Sequence, residues 1–326
     1  KAIKNVGGKA IDNIIKVRKK GKFTSIFDFC SRIDLRLVNK AVLESLISAG
    51  AMDDLEGSRS QKYKSVEKAI EHGADKQREK KNGQLSFFDK LEDSKKYDLT
   101  PNLPKINEWD TDKKLLKEKE ILGFYWSDHP LCKYKFLPYI INTNSQKAAE
   151  NPDSVPKTIY IAGIIDKIVK KTTRNKKDLA ILIFEDLYGK FELSLINEDY
   201  EKYYNLVKEN KIYFVIAKKS NYYLDDNLLR LKPVKIFPIE AVDTELSGKI
   251  DLIFNESDIG DDLTHKFKKE IKQNQGNFNI NISILTKKYK VLRMKVKNKQ
   301  IFPNSALLDF LKKDMNAVIK IKVKRR

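Results

Sequence analysis

The residues that most often hold metal ions or move protons are few here and poorly spaced for either task. Neighbouring carboxylates occur at Asp53-Asp54, Asp110-Thr111-Asp112, Asp225-Asp226 and Asp261-Asp262. Phosphoryl transfer would need such pairs to fix metal ions in an enclosed site. Asp53-Asp54, Asp225-Asp226 and Asp261-Asp262 fall at helix ends or turns. Asp110-Thr111-Asp112 precedes a lysine-rich helical stretch, where aspartate serves as a cap. Cys30 and Cys132 are far apart, and so are His72, His129 and His265. That spacing argues against a disulfide framework or a zinc site, and fits a reducing compartment. No phosphate loop of the Walker type and no Ser or Cys paired with His is evident. The expectation is a binding chain with no catalytic residue, no metal ligand and no cofactor of its own.

Three segments carry binding chemistry. Asn5-Val6-Gly7-Gly8-Lys9 reads as a short hairpin before a helix. Glycine there frees backbone N–H groups at a helix N-terminus, which bind phosphate without reading bases. An ordinary glycine-rich helix–helix turn is the alternative. Gln84-Leu85-Ser86-Phe87-Phe88 sets three apolar side chains in a polar stretch that has no core of its own. Such clusters mark a docking peptide or pack back onto a neighbouring domain. Burying Leu85, Phe87 and Phe88 would gain about 1.5–3 kcal/mol each. Ordering the segment returns roughly 2–5 kcal/mol, which leaves weak binding near the micromolar range. Tethering then raises the effective concentration. The third segment is a β-rich region with Lys170, Lys171, Arg174, Lys176 and Lys177 in one loop. Tyr160, Phe184 and Phe191 lie on its strands, with Tyr222 and Tyr223 in another loop. Basic loops beside aromatic rings suit single-stranded nucleic acid. Any single ring here, Phe184 and Phe191 included, reads more readily as core, and the lysines as a solvated loop; the loop cluster carries the binding reading. The chain carries 65 Lys+Arg against 45 Asp+Glu. This charge fits a polyanion partner, although a composition rich in Lys, Ile and Asn also raises it.

The elements that would position these segments differ along the chain. Residues 1–57 read as packed short helices, with Ile11, Ile14, Ile15 and Arg18 on one stripe and Val38, Val42, Leu43, Leu46 and Ile47 on another. Gly21, Gly50 and Gly57 punctuate them. Residues 58–104 read as a polar linker with partial helix that holds the 84–88 peptide. Residues 105–155 form a helical connector, with Asp112 as the expected cap of a helix from Lys113 to Leu122. In 156–240 the period changes to two. Five strands with a helix after the third follow the order of an OB-fold barrel. Residues 246–326 read β-α-β-β-α-β and hold the largest basic excess: from 248 onward, 19 Lys+Arg against 8 Asp+Glu. The run Lys320–Arg326 is expected to touch nucleic acid. The fold class is therefore multidomain α+β: a helical hairpin module, an OB-fold β-barrel and a small C-terminal α/β domain. No run of 18 apolar residues is present, so no membrane partner is expected. Lys1 is not an initiator Met, and the segment reads as cut from a longer protein.

Several long motifs in order resemble the alpha subunit of bacterial DNA polymerase III, a replicative polymerase of the C family. They are Thr24–Cys30, Val38-Asn39-Lys40, Leu43–Asp53, Gly83–Phe88, Glu118–Leu131, Ile161–Ile164 and Phe184–Gly189. The likeness covers nearly the whole chain and is weakest after Gly248. It implies the C-terminal portion of that subunit, following the palm, thumb and fingers that carry catalysis and its Mg²⁺. In the family this region runs as helix-hairpin-helix on duplex DNA, a sliding-clamp peptide, and an OB domain near the template single strand. A last domain meets the clamp-loader tau subunit in some members. The resemblance assigns Asn5, Val6, Gly7, Gly8 and Lys9 to duplex DNA, with Asn5 replacing the first glycine of the hairpin tip. It assigns Gln84, Leu85, Phe87 and Phe88 to the clamp. Asp128 stands where the family has Gly, and Phe87 where Leu is commoner. The implied function is DNA holding and clamp tethering for processive replication in the bacterial cytoplasm, at the nucleoid. The parent protein would be a DNA-directed DNA polymerase, a nucleotidyltransferase. The alternative is a stand-alone OB-fold nucleic-acid-binding protein in repair or RNA processing.

Overall fold

The computed structural model describes residues 3–81, 101–172, 178–220, 228–288 and 290–324. It divides into two units, Lys1–Pro130 and Leu131–Arg326. The peptide 84–88, the loop residues Arg174, Lys176 and Lys177, and Tyr222 and Tyr223 lie outside the described residues.

The first unit is helical: α1 (Gly8–Arg18), α2 (Ile26–Arg32), α3 (Lys40–Ser48), α4 (Arg59–Lys64), α5 (Val66–Lys81) and α6 (Thr111–Leu122). Side-chain caps set the starts. Ser25 accepts from the Asp28 N–H, Asn39 from Val42, and Ser58 forms a capping box with Gln61. The α3 stripe is buried as its spacing predicts, with Val38, Leu43 and Ile47 at 0% exposure. The α1 stripe is not: Ala10 faces the core, whereas Ile11 and Ile15 are 44% and 40% exposed. Ile14 does pack against the core, so periodicity located the helix but placed its buried face off-centre: that face runs through Ala10 and Ile14, not Ile11 and Ile15.

Two further expectations change. The polar stretch after residue 58 is not linker as far as Lys81. It forms α4 and α5, and Val66 and Ala69 enter the core of the unit. Gly73, inside α5, is what lets α5 approach α2. A Cβ there would lie 2.5 Å from the Cys30 carbonyl oxygen. The cap of α6 is Asp110, not Asp112: its Oδ1 accepts from the Lys113 N–H at 2.7 Å. Gly123 closes α6 at φ 86°.

A buried ionic network ties α4 to α6. Arg59 is 5% exposed and Glu118 is 0% exposed. Arg59 donates from Nη1 to Glu118 Oε1 at 2.7 Å, and from Nε and Nη2 to Asp53. The other oxygen of Glu118 accepts from the backbone N–H groups of Trp126 and Ser127 and from Ser127 Oγ. One carboxylate thereby holds the loop after α6. Buried Lys62 ends on the carbonyls of Leu55 and Gly57 at 3.0 and 2.7 Å.

The second unit opens with α7 (Leu137–Ile140) and α8 (Ser145–Glu150). A closed barrel follows: β1 (Ile159–Thr172), β2 (Asp178–Glu185), β3 (Lys190–Ile196), α9 (Glu198–Tyr203), β4 (Ile212–Lys219) and β5 (Leu229–Pro238). The strand order around it is β1-β2-β3-β5-β4. β3 and β5 pair in parallel, and the long β1 pairs first with β4 and then, past a bulge near Ile165, with β2. That order, with a helix between β3 and β4, is the OB-fold. After α10 (Val242–Glu245) come β6 (Gly248–Asn255), α11 (Asp261–Gln273), β7 (Gln275–Thr286), β8 (Lys290–Ile301), α12 (Ser305–Lys313) and β9 (Val318–Val323). Their sheet runs β8-β7-β6-β9. The β-α-β-β-α-β reading therefore holds.

β1 carries both cores of this unit. Ile159, Ile161 and Ile165 point into the barrel with Leu182, Phe184, Phe191 and Leu193. The alternate residues Tyr160 and Ala162 join Phe214, Phe237, Ile250, Phe278 and Leu307 in a second core. This two-sided burial explains why residues 159–165 read as an almost unbroken apolar run.

Candidate nucleic-acid interface

The hairpin is built as its sequence suggests. Asn5 sits at φ 67°, the left-handed region, and its Nδ2 donates to Ser45 Oγ at 3.1 Å. The side chain of Val6 is 2% exposed and belongs to the core, so it braces the turn and offers a ligand only backbone. Gly7 is the N-cap of α1, with no side-chain cap on the first turn. Exposed Lys9 stands beside those uncapped N–H groups. The Lys4 N–H donates to the Ile121 carbonyl at 3.0 Å, which pins the hairpin to α6. Asn is among the few residues other than Gly that tolerate this φ. Asn5→Ala should therefore cost about 2 kcal/mol, combining left-handed strain with the lost bond to Ser45. Asn5→Gly should cost less, since Gly takes this φ freely. Urea unfolding of the two variants checks the order.

At the barrel the sequence-predicted residues separate. Tyr160 was expected on an open face, but it is 7% exposed and packs near Phe214 in the second core, so it is not available for base stacking. Phe184 and Phe191 stand opposite each other on β2 and β3. Their rings stack at 4.9 Å with 0% exposure, which settles them as core. Lys170 and Lys171 lie on the exposed end of β1. Lys170 Nζ is 3.2 Å from Asp178 Oδ2 and lies 5.9 and 5.8 Å from the ring centroids of Tyr200 and Tyr204. The hydrogen bond to Asp178, then that to Tyr200, raises the Lys170 pKa. The two tyrosine rings, on α9 and at its C-cap, stack at 4.5 Å and are half-buried. This tyrosine pair was missed as a site feature. The two tyrosines stand at i, i+4 in the sequence, and only barrel closure brings them beside Lys170 at the end of β1. The opposite turn is held by buried Asp186, which accepts from the N–H and hydroxyl of Ser145 and from the N–H groups of Tyr188 and Gly189.

A helix-hairpin-helix motif model matches residues 1–62. The DNA polymerase III alpha subunit of Borreliella burgdorferi is 30% identical over 281 residues, 84% of this chain. That of Vibrio cholerae is 32% identical over 221 residues, 67% of the chain. The chain belongs to the DNA polymerase III alpha family. The Bacillus subtilis alpha subunit matches at 26% over 284 residues, 85% of the chain. The chain spans only 24%, 19% and 24% of these three relatives. Among solved structures, the mitochondrial single-stranded DNA-binding protein of S. cerevisiae aligns over 25% of this chain and 92% of its own, at 17% identity and TM-score 0.21. The second OB-fold domain of replication protein A from Methanococcus maripaludis aligns over 26% and 88%, at 22% identity and TM-score 0.20. The barrel's assignment rests on its own strand order. Among the described residues no helix is long and apolar enough to cross a membrane, and no cluster of three or more His, Cys, Asp or Glu could hold a metal ion.

Proposed function

We propose that this chain is the C-terminal DNA-holding and clamp-tethering region of a replicative DNA polymerase. The observation that carries the reading is family membership joined to two nucleic-acid folds in one chain, a hairpin module and an OB barrel. The uncapped first turn of α1 with Lys9 takes a duplex phosphate. The β1–β2 arm, with Lys170, Lys171 and the loop residues Arg174, Lys176 and Lys177, tracks a single-stranded template, together with Tyr222 between β4 and β5 in the chain. Gln84, Leu85, Phe87 and Phe88 dock on a sliding clamp. Mg²⁺ and nucleotide chemistry belong to the rest of the parent polymerase, and the last domain is the candidate contact for a clamp-loader subunit.

Binding of fluorescent single-stranded and primed DNA across a salt series tests this. Lys170→Gln/Lys171→Gln should weaken single-strand binding and flatten the log–log salt slope by about 1.4, from roughly 0.7 per phosphate contact. Lys9→Gln should act on duplex binding alone. A wild-type chain that ignores both DNAs would refute the proposal. So would primer extension by the chain itself, which would require a catalytic centre within it.

A further inference from the structure

We propose that the outward face of the four-stranded sheet in the second unit is a separate binding surface for the phosphate backbone of single-stranded nucleic acid. Alternation assigns the faces. On β6, Ile250, Leu252 and Phe254 are buried beneath the helices, so Lys249, Asp251 and Ile253 point the other way. Register then carries this face across the sheet. Lys322 stands opposite Lys249, and Lys320 opposite Asp251. Lys295 stands opposite Asn281, and Arg293 opposite Ser283. Asn281 donates to Asp251 Oδ1 at 2.6 Å, which confirms that β6 and β7 share the face.

Five cations therefore lie on one exposed surface with a single carboxylate, and that carboxylate is engaged by an amide. Among the described residues none of the five forms an ion pair. Like charges directly opposite on neighbouring strands destabilise a sheet, and Lys249 with Lys322 is such a pair. Lysines on edge strands also discourage strand addition, which would account for β9 and β8 taken alone. It does not account for Lys249, because β6 lies inside the sheet between β7 and β9. Successive outward residues on one strand are roughly 6.6 Å apart. Lys320 and Lys322 thus repeat at close to the phosphate step of an extended single strand. None of the outward residues from Lys249 to Ile253, Asn279 to Leu285 or Val318 to Lys322 is aromatic. Such a face holds backbone without stacking bases and is indifferent to sequence. It differs in this from the barrel arm and its tyrosine pair.

The test uses the full 326-residue chain and oligothymidylate, comparing two triple variants that remove the same charge. One is Lys249→Gln/Lys320→Gln/Lys322→Gln on the sheet. The other is Lys266→Gln/Lys268→Gln/Lys269→Gln on the exposed side of α11. Matched thermal melts establish that both fold. The sheet triple should bind at least tenfold more weakly at low salt, with a salt slope flatter by about 2. The helix triple should retain the wild-type slope. Equal loss in both triples would reduce the effect to net charge and overturn the proposal, as would no loss in the sheet triple. Retention of polyglutamate of matched charge as tightly as oligothymidylate would overturn it in favour of an acidic protein partner. Lys170→Gln/Lys171→Gln measured alongside separates this site from the barrel. Loss there with none in the sheet triple would leave the proposed function standing and the sheet site refuted.

Discussion

Glu118→Ala is expected to destabilise the chain by about 3–5 kcal/mol, the usual result of removing one partner from a buried ion pair. The mutation strands the Arg59 guanidinium, which is 5% exposed, and leaves the Trp126 and Ser127 N–H groups without their acceptor. Asp53 still holds Nε and Nη2 of Arg59, but it is itself half-exposed and reaches only one side of the fork. In thermal unfolding the midpoint should fall by roughly 10–20 °C. A change under 1 kcal/mol would show that the network is dispensable.

The same carboxylate sets an acid limit. Burial pushes the Glu118 pKa up, but the Ser127 N–H, Arg59, the Ser127 hydroxyl and the Trp126 N–H together outweigh it and hold it below the ordinary value of 4.5. A folded pKa below the unfolded one gives stability that is complete above the unfolded value and lost as pH falls through the folded value. Wild-type stability should therefore decline below about pH 4.5. Glu118→Ala should show a shallower decline over that range. Glu108 keeps part of the slope in both: burial raises its pKa, yet the N–H groups of Ser60, Trp109 and Arg59 leave it lowered. Urea midpoints from pH 3 to pH 7 read the difference.

The double change Phe87→Ala/Phe88→Ala should abolish clamp binding. Two aromatic side chains at about 1.5–3 kcal/mol each amount to a loss of a hundredfold or more in affinity. A peptide that starts near the micromolar range would then fall below detection on an immobilised sliding clamp. Single-stranded and duplex DNA binding should be unchanged, because neither ring lies in the hairpin or the barrel. Gln84→Ala should weaken clamp binding less, since it removes one polar contact and no apolar area. Clamp affinity that survives the double change would overturn the assignment of this peptide. Loss of DNA binding at the same time would mean that the rings pack onto a DNA-binding domain.

Much of the fold was legible because its signals are local. The β2 and β3 alternation, the glycines at 21, 50 and 57, and Asn304 before α12 each state an element's type or end without reference to any neighbour. Errors arose where a neighbour decided. Asp110 and Asp112 are equally good caps by type, and only the backbone path at Asp110 chose between them. Gly73 in the middle of a helix has no local reason until α2 is set against it. Tyr160 has the composition of a stacking ring, yet β1 has core on both sides and leaves it no solvent.

The sequence by itself determined the family, the element order, the hairpin with Asn5 at its tip, and a basic last domain. Each of these is written in contiguous residues or in short spacings. Tertiary structure alone decided which residues share a surface. It joined Arg59 to Glu118 across 59 positions, and it set Lys170 over Tyr200 and Tyr204 by closing the barrel. The sequence pointed to a basic tail at Lys320–Arg326. The sheet made Lys320 and Lys322 one edge of a wider face, because register sets Lys249 beside Lys322 and puts Arg293 and Lys295 on the same face at the opposite edge. Charge in a sequence is a sum, whereas charge on a sheet is a pattern, and only strand register converts one into the other.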